Sequence, residues 1–416
     1  MNAISSSLWL GYTPTGQKLK LGYEELLPAS AILGRGANDL VALLAYGASE
    51  AGLRTIIVDL NGKVSERLSG HMQTFNASYI LQDALTMDLD EMYHGQLIAS
   101  AYATILNLPA TQEDILNLAV RHAASGQGDG SASPAALSDG IGTVTGFRAT
   151  DKEELEGRMG TLSLMEATGN PGAVREVMGH SSLVDFSQAL TLELGSASAA
   201  IFLAKMLAIV RSDVVTKPDL VIISDAYRIF RAHRVVTHSR TLRDALLTSS
   251  VAKVFASEIG DALDEQLAGA CPARILSSAM WNELSRVDHV LPGTFVLQNT
   301  AFDFEVPFLP RLFEGRSGEM KLGPDPPPAP KELTRLVLEM VASSSMATRS
   351  SLVDFIAEYD RAMVGREIDR LCKEDFLRVM RPHKGPEGPP AVLILTPFGE
   401  LELEKLRKDG ETSDSV

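Results

Sequence analysis

Residues 31–44 read AILGRGANDLVALL, an apolar strand that runs through two glycines into a Leu/Val/Ala helix. In that context, backbone N–H groups and a helix N-terminus can hold a phosphate. A loop that also supports phosphoryl transfer reads G-x-x-x-x-G-K-S/T: the Lys neutralises the outer phosphates and the hydroxyl holds Mg²⁺. Counted from Gly34, the second Gly is Asp39, the Lys is Leu40 and the Ser/Thr is Val41. Leu40 and Val41 can do neither job, and Asp39 adds negative charge where phosphates would lie. The candidate nucleotide-contacting residues are Gly34, Arg35, Gly36, Ala37, Asn38, Asp39, Leu40 and Val41, with Arg35 and Lys63 as substitute cations. Two other readings stand beside this one. Gly34-x-Gly36-x-x-Asp39, with Asp59 following Gly34 by 25 residues, approaches a dinucleotide fingerprint that lacks its third Gly. Alternatively, 34–39 is an ordinary tight strand–helix turn with Asp39 as helix cap.

A second constellation lies at Val221-Ile222-Ile223-Ser224-Asp225-Ala226-Tyr227-Arg228-Ile229-Phe230. It has the outline of a Walker B strand, hhhhDEAHRxF, in which the first acid holds the Mg²⁺ shell and the second polarises the attacking water. Those positions are Ser224, which carries no charge, and Asp225, one methylene shorter than Glu. The alternative is a core strand with a polar end. His233 and His238 lack further ligands nearby and read as surface histidines. No Ser/His/Asp or Cys/His arrangement stands out, and no residue is assigned a catalytic role.

The elements that must position these residues follow from patterning. Apolar runs at Ala31–Leu33, Thr55–Val58, Ser182–Phe186, Leu220–Ile223, Val254–Ala256, Ala273–Ser277 and Thr294–Gln298 read as strands. Short strands and a turn precede them in 7–28. Helices are predicted at about 39–51, through most of 85–180 and at about 196–211, with SGQGDGSASPAALSDG as a polar loop. Strands covered on both faces read as continuous β-branched runs, so the first 320 residues predict one α/β domain on a mostly parallel sheet. The 416 residues suffice for a large and a small domain. No apolar run approaches the roughly 18–20 residues of a membrane span. The N-terminus lacks signal-peptide features, and Cys271 and Cys372 form neither a metal spacing nor a disulfide framework, so a cytoplasmic protein is expected. A net charge of −15 argues against a basic nucleic-acid coat but leaves a local basic groove open.

Taken together, these motifs resemble the P-loop ATPases of the HerA/FtsK class, DNA pumps that include conjugation and type IV secretion ATPases. LWLGYTPTGQKLKLGYEELLPASAILG resembles the opening hairpin and loop strand. RTIIVDLNGK resembles the next strand, which in the family ends Asp-Pro-x-Gly-Glu; Asp59 and Gly62 match and Lys63 replaces the acid. SLVDFSQ resembles the strand before Walker B, and DAYRIF resembles EAHRxF. VFASEIGDALDEQL resembles the sensor strand, with Glu258 where the family has the Gln that senses the γ-phosphate. LPGTFVLQ and VPFLPRLF resemble the last strand and the chain's return. The resemblance implies a RecA-like fold whose catalytic parts have been lost together. Each lost charge-neutralising group typically costs several kcal/mol in phosphoryl transfer. It therefore implies a pseudo-ATPase subunit of a DNA-processing or DNA-transfer assembly. No cofactor is expected, and ATP with Mg²⁺ enters only if the altered loop still binds. Implied partners are further subunits in a homo- or hetero-oligomer, an active homologous ATPase, a nuclease or DNA. Because the family places its sites between subunits, Arg231, Arg234, Arg240 and Arg274 are candidates to act in trans. One alternative is an active translocase with an unorthodox site.

GPDPPPAPKE (323–332) reads as a stiff linker. Beyond it, helices at 331–342, about 348–359 and about 364–376, strands at 378–383 and 391–396, and a helix at about 399–408 predict a winged helix over 333–410, with 411–416 as a disordered tail. Arg366, Arg370 and Lys373 share a face of the third helix, and Arg378, Arg381 and Lys384 extend basic charge into the wing. Such a helix can read a DNA major groove. Glu367, Asp369, Glu374 and Asp375 interleave, which equally suits docking to a protein. A DNA-binding regulator that uses the ATPase fold to oligomerise is the remaining alternative.

Overall fold

Strands of unbroken apolar sequence form the centre of the larger of two compact units. In a computed structural model, the described residues are 7–13, 18–124, 130–165, 168–212, 217–231, 240–259, 263–284, 294–300, 304–310, 313–314, 321–322, 331–343, 347–356, 361–380 and 392–413. The first unit comprises residues 1–11 and 18–322, and the second comprises 12–17 and 323–416.

The chain opens with β1 (Ser7–Tyr12), β2 (Lys18–Gly22), β3 (Ala29–Leu33), α1 (Ala37–Glu50), β4 (Thr55–Asp59), α2 (Lys63–Leu68) and β5 (Gln73–Asn76). A helical stretch follows: α3 (Ala77–Leu85), α4 (Glu91–Leu106), α5 (Ala110–Ala124), α6 (Pro134–Thr143), α7 (Ala149–Gly160) and α8 (Ala173–Gly179). Alternation then resumes with β6 (Ser182–Asp185), α9 (Leu192–Ser212), β7 (Leu220–Ile223), α10 (Arg240–Thr248), β8 (Ala252–Ser257), α11 (Glu265–Gly269), β9 (Ala273–Ser277), α12 (Ser278–Leu284), β10 (Phe295–Asn299) and β11 (Phe304–Pro310). A short pair, β12 (Phe313–Glu314) and β13 (Lys321–Leu322), closes this part.

The sheet order is β2-β1-β11-β10-β9-β3-β8-β7-β4-β6-β5. From β9 to β5 every neighbouring pair is parallel, whereas β10 runs antiparallel to both β9 and β11. This is a mixed α/β unit on a large, mostly parallel sheet, as the alternation of apolar strands and helices predicts. Alternation along each strand divides the core. Ala31, Leu33, Ile56, Val58, Val221 and Ile223 join the cluster built on α3–α9. Ile32, Ile57, Leu220 and Ile222 join the opposite cluster with Leu40, Val41 and Leu44 of α1. Both faces are dry, so the strands carry no polar alternation.

α9 is long and apolar enough by composition to cross a membrane, contrary to the expectation that no segment is, but 89% of its most apolar window is buried. Its uniform apolarity reflects its place in the core against α3, α4 and α8. Beside it, Lys205 is buried and donates to the Thr86 carbonyl at 2.7 Å and to Asp88. His94 is fully buried, and neither ring nitrogen has a partner among the described residues. Burial, with the Lys205 ammonium nearby, pushes the imidazole down to about 3. The unfolded chain therefore binds a proton on His94 between about 3 and 6.5 that the folded chain refuses, so stability falls as pH drops below 6.5. At pH 5 this group is expected to cost about 2 kcal/mol relative to pH 7.5. Denaturation of wild type and His94→Leu at the two pH values measures it. An unchanged difference between the two proteins would refute the assignment.

In the second unit, α13 (Lys331–Ser343), α14 (Arg349–Phe355) and α15 (Arg361–Lys373) precede the antiparallel pair β14 (Leu377–Met380) and β15 (Val392–Leu395), then α16 (Pro397–Ser413). Leu333, Val337, Val341, Leu352, Val364, Ile368, Leu371, Leu377, Leu393 and Leu403 form a separate core. Helix α16 passes residue 408 and extends to Ser413. Past Gly410 there is no proline, and propagating a formed helix costs little.

Candidate functional site at the carboxyl edge of the sheet

Because β3, β8, β7, β4 and β6 run parallel, Leu33, Ser257, Ile223, Asp59 and Asp185 all end at one edge. Ligands of open α/β sheets gather at such an edge. The Gly34 turn, the Ser224-Asp225 pair and Glu258 all follow these strand ends, and the fold brings them together.

The turn itself is short. Gly34 N–H donates to the Ser257 carbonyl at 2.8 Å, Ala37 N–H donates back to Gly34 at 3.1 Å, and α1 begins at Ala37. Gly34 has φ +99°, and a Cβ there would lie 2.0 Å from Ser277 Oγ, so the position requires glycine. The helix therefore starts at the fourth position counted from Gly34, where a G-x-x-x-x-G-K loop would still be open. Two expectations change as a result. Leu40 and Val41 are not loop residues: both are buried in the α1 core, 1% and 0% exposed. Asp39 is not the cap either. The cap is Gly36 at φ 88°, with no side-chain capping bond, and Asp39 sits in the first turn. Ala37 and Asn38 are buried as well, and Asn38 has no side-chain partner among the described residues. Arg35 and Asp39 are exposed.

Asp59 is fully buried and its carboxylate is saturated. Oδ1 accepts from Ser224 Oγ at 2.7 Å and from the N–H groups of Asn61 at 3.3 Å and Gly62 at 3.2 Å. Oδ2 accepts from both Ser65 N–H and Ser65 Oγ at 2.7 Å. With every lone pair engaged in shaping the β4–α2 turn, Asp59 has nothing left for a ribose hydroxyl, which removes the dinucleotide reading. Ser224 is equally committed: it also accepts Leu60 N–H at 3.2 Å. Ser224 is thus a buried hydroxyl that ties β7 to the β4–α2 turn.

Asp225 lies in the left-handed region at φ 48° and is 4% exposed. Its Oδ2 accepts from Asn61 Nδ2 at 2.5 Å, and Arg228 approaches at 3.7 Å while bonding the Leu60 carbonyl. Burial raises its pKa above the usual carboxylate range, with Glu258 adding to the shift against the Asn61 bond and Arg228. Glu258 in turn accepts from Lys63 Nζ at 2.5 Å. That bond, above all, holds the Lys63 ammonium above the ordinary lysine range, and Asp225 and Asp39 reinforce it. Asp39 pairs with Arg67 at 2.6 Å. Lys63 and Arg67, the basic groups of α2, thus both face carboxylates of the chain itself.

Asn61, Ser65, Arg67 and Arg228 did not emerge from motif reading. The available signal was local: Asp59-x-Asn61-Gly62 is an Asx-type turn pattern before a short helix. Of the candidate trans arginines, Arg274 is occupied by the Cys271 carbonyl at 3.2 Å and Arg231 is exposed. His233, Arg234 and His238 lie outside the described residues, as does the side chain of Arg240. A cleft of about 500 Å³ opens elsewhere, in the helical layer between α4 and α5, where Gln96, Glu113, Asn117 and Arg121 line it. It shares no residue with the Gly34 edge.

In the second unit, Arg370 is engaged by carboxylates on and directly after its own helix. Its guanidinium bonds Glu367 at 2.6 and 3.0 Å and Glu374 at 2.6 Å, and these carboxylates raise its pKa further. Arg378 lies 3.4 Å from Asp375, Arg366 and Lys373 are exposed, and Arg381 and Lys384 lie outside the described residues.

No family model and no curated protein matches this chain. Among solved structures it is similar to VirB4 of Thermoanaerobacter pseudethanolicus, at 14% identity and a TM-score of 0.47, over 74% of this chain and 97% of that one.

Proposed function

We propose that this protein is a non-hydrolysing relative of the HerA/FtsK-class ATPases, serving as a structural or regulatory subunit of a DNA-processing or DNA-transfer assembly. The observation that carries this reading is the state of the carboxyl edge. Hydrolysis needs a cation on the outer phosphates, an acid in the Mg²⁺ shell and a free carboxylate near the attacking water. The first position is the buried Leu40, the second is Ser224 bonded to Asp59, and the third is a buried Asp225 held by Asn61. Lys63 is engaged by Glu258. The edge keeps the strand-end position at which ligands of α/β sheets gather, but its turn closes at Ala37, and it lacks the groups that turn nucleotide over.

The second unit, with its helices, antiparallel pair and last helix, is read as a winged helix. Occupation of Arg370 by Glu367 and Glu374 favours protein docking over groove reading on α15.

Titration with ATP, with and without Mg²⁺, tests the main reading. The expected result is no Mg²⁺-dependent binding in the micromolar range and no hydrolysis above background, with or without DNA. DNA-stimulated hydrolysis would establish the active-translocase alternative instead. Salt-dependent DNA binding that disappears on removing residues 331–416 would support the DNA-binding regulator.

A further inference from the structure

Lys63 and Arg67 are four residues apart on α2 and so share one face. Each is met by a carboxylate from an element that flanks the Gly34 turn: Glu258 directly follows β8, and Asp39 lies in the first turn of α1. We propose that Glu258 and Asp39 act as built-in counter-anions, holding the basic face of α2 and keeping a free polyanion off it. The inference rests on the non-hydrolysing reading above and adds the device that keeps the edge closed. At this edge a nucleotide would supply negative charge to bridge the loop and the basic groups. Here two side chains supply it, 195 residues apart in sequence for the Lys63–Glu258 pair. Asp225 adds a third carboxylate whose field reaches Lys63.

Both pairs are solvent-accessible, with Lys63 55% and Arg67 45% exposed. Exposed pairs contribute little to folding, so the carboxylates can be removed without unfolding the unit. What changes is the local charge. With Asp39 and Glu258 neutralised, two cations on one helix face are left without their close counter-charges.

The probe is inorganic tripolyphosphate without Mg²⁺, titrated calorimetrically at low ionic strength. The D39N/E258Q protein is expected to bind it at least about tenfold more tightly than wild type, from two released pairs. Salt within the physiological range should erode that gain. Adding K63Q and R67Q to the same protein should abolish it. The proposal is overturned if D39N/E258Q binds no tighter than wild type, or if the gain survives loss of Lys63 and Arg67. Turnover of Mg²⁺-ATP by wild type is a separate failure, of the functional reading on which this one rests.

Discussion

Replacing Asp59 by Ala is expected to destabilise the larger unit by about 3–5 kcal/mol while changing no nucleotide-dependent signal. The carboxylate is fully buried and accepts five hydrogen bonds, from Ser224, Asn61, Gly62 and, twice, Ser65. Each donor left unpaired in the interior costs about 1–3 kcal/mol, and water entering the vacated space recovers part of the sum. Asp59→Asn separates charge from shape. It keeps one acceptor oxygen but turns an N–H₂ group toward donors, so its cost should fall between wild type and Ala. Both tryptophans, Trp9 and Trp281, belong to this unit, so fluorescence-detected urea denaturation follows it selectively. An Asp59→Ala unfolding free energy within about 1 kcal/mol of wild type would show that the carboxylate is not structurally required.

The Arg370→Ala protein is expected to lose about 3 kcal/mol in the second unit, a stability effect where motif reading expects a loss of DNA affinity. Glu367 is 1% exposed on its side chain and is held by Arg370 and by Thr334 Oγ1 at 2.6 Å. Truncating Arg370 leaves a buried carboxylate with the threonine alone, and breaking a buried pair from one side is the costly case. Replacing both partners with apolar side chains of similar size, as in E367M/R370M, should recover most of the loss. Thermal melting by far-UV circular dichroism measures this, since the unit has no tryptophan. If Arg370→Ala melts like wild type and binds DNA more weakly, the arginine is a groove contact after all.

Where local spacing governs, the residues alone were informative. The i, i+3 placement of Glu367 and Arg370 was visible as interleaved charge, but its meaning was not. Thr334, from α13, is what turns the pair inward, and no local pattern announces a contact 33 residues away. The loop at Gly34 teaches the same lesson from the other side. Aligning it to G-x-x-x-x-G-K-S/T assigned roles to Leu40 and Val41 by counting. Yet the helix starts at Ala37, because the turn is closed by Gly34 and Gly36 at positive φ and tied to Ser257.

The sequence by itself determined the central apolar strands and their order along the chain, whereas the polar edge strand β5 (Gln73–Asn76) carries no apolar run to mark it. Val, Ile, Leu and Ala in unbroken runs can be stable only with both faces covered, and that forces a parallel sheet between helical layers. It also determined which side chains carry no charge, since no fold can make Leu40 neutralise a phosphate or Ser224 act as an acid. Only the tertiary structure decided what the remaining polar groups do. Asp59 meets Ser224 across 165 residues and Lys63 meets Glu258 across 195. Those meetings depend on β8, β7 and β4 lying side by side with their carboxyl ends together. Hydrogen bonds and ion pairs act over a few ångströms, so their partners are chosen by strand order in space, which chain order does not contain.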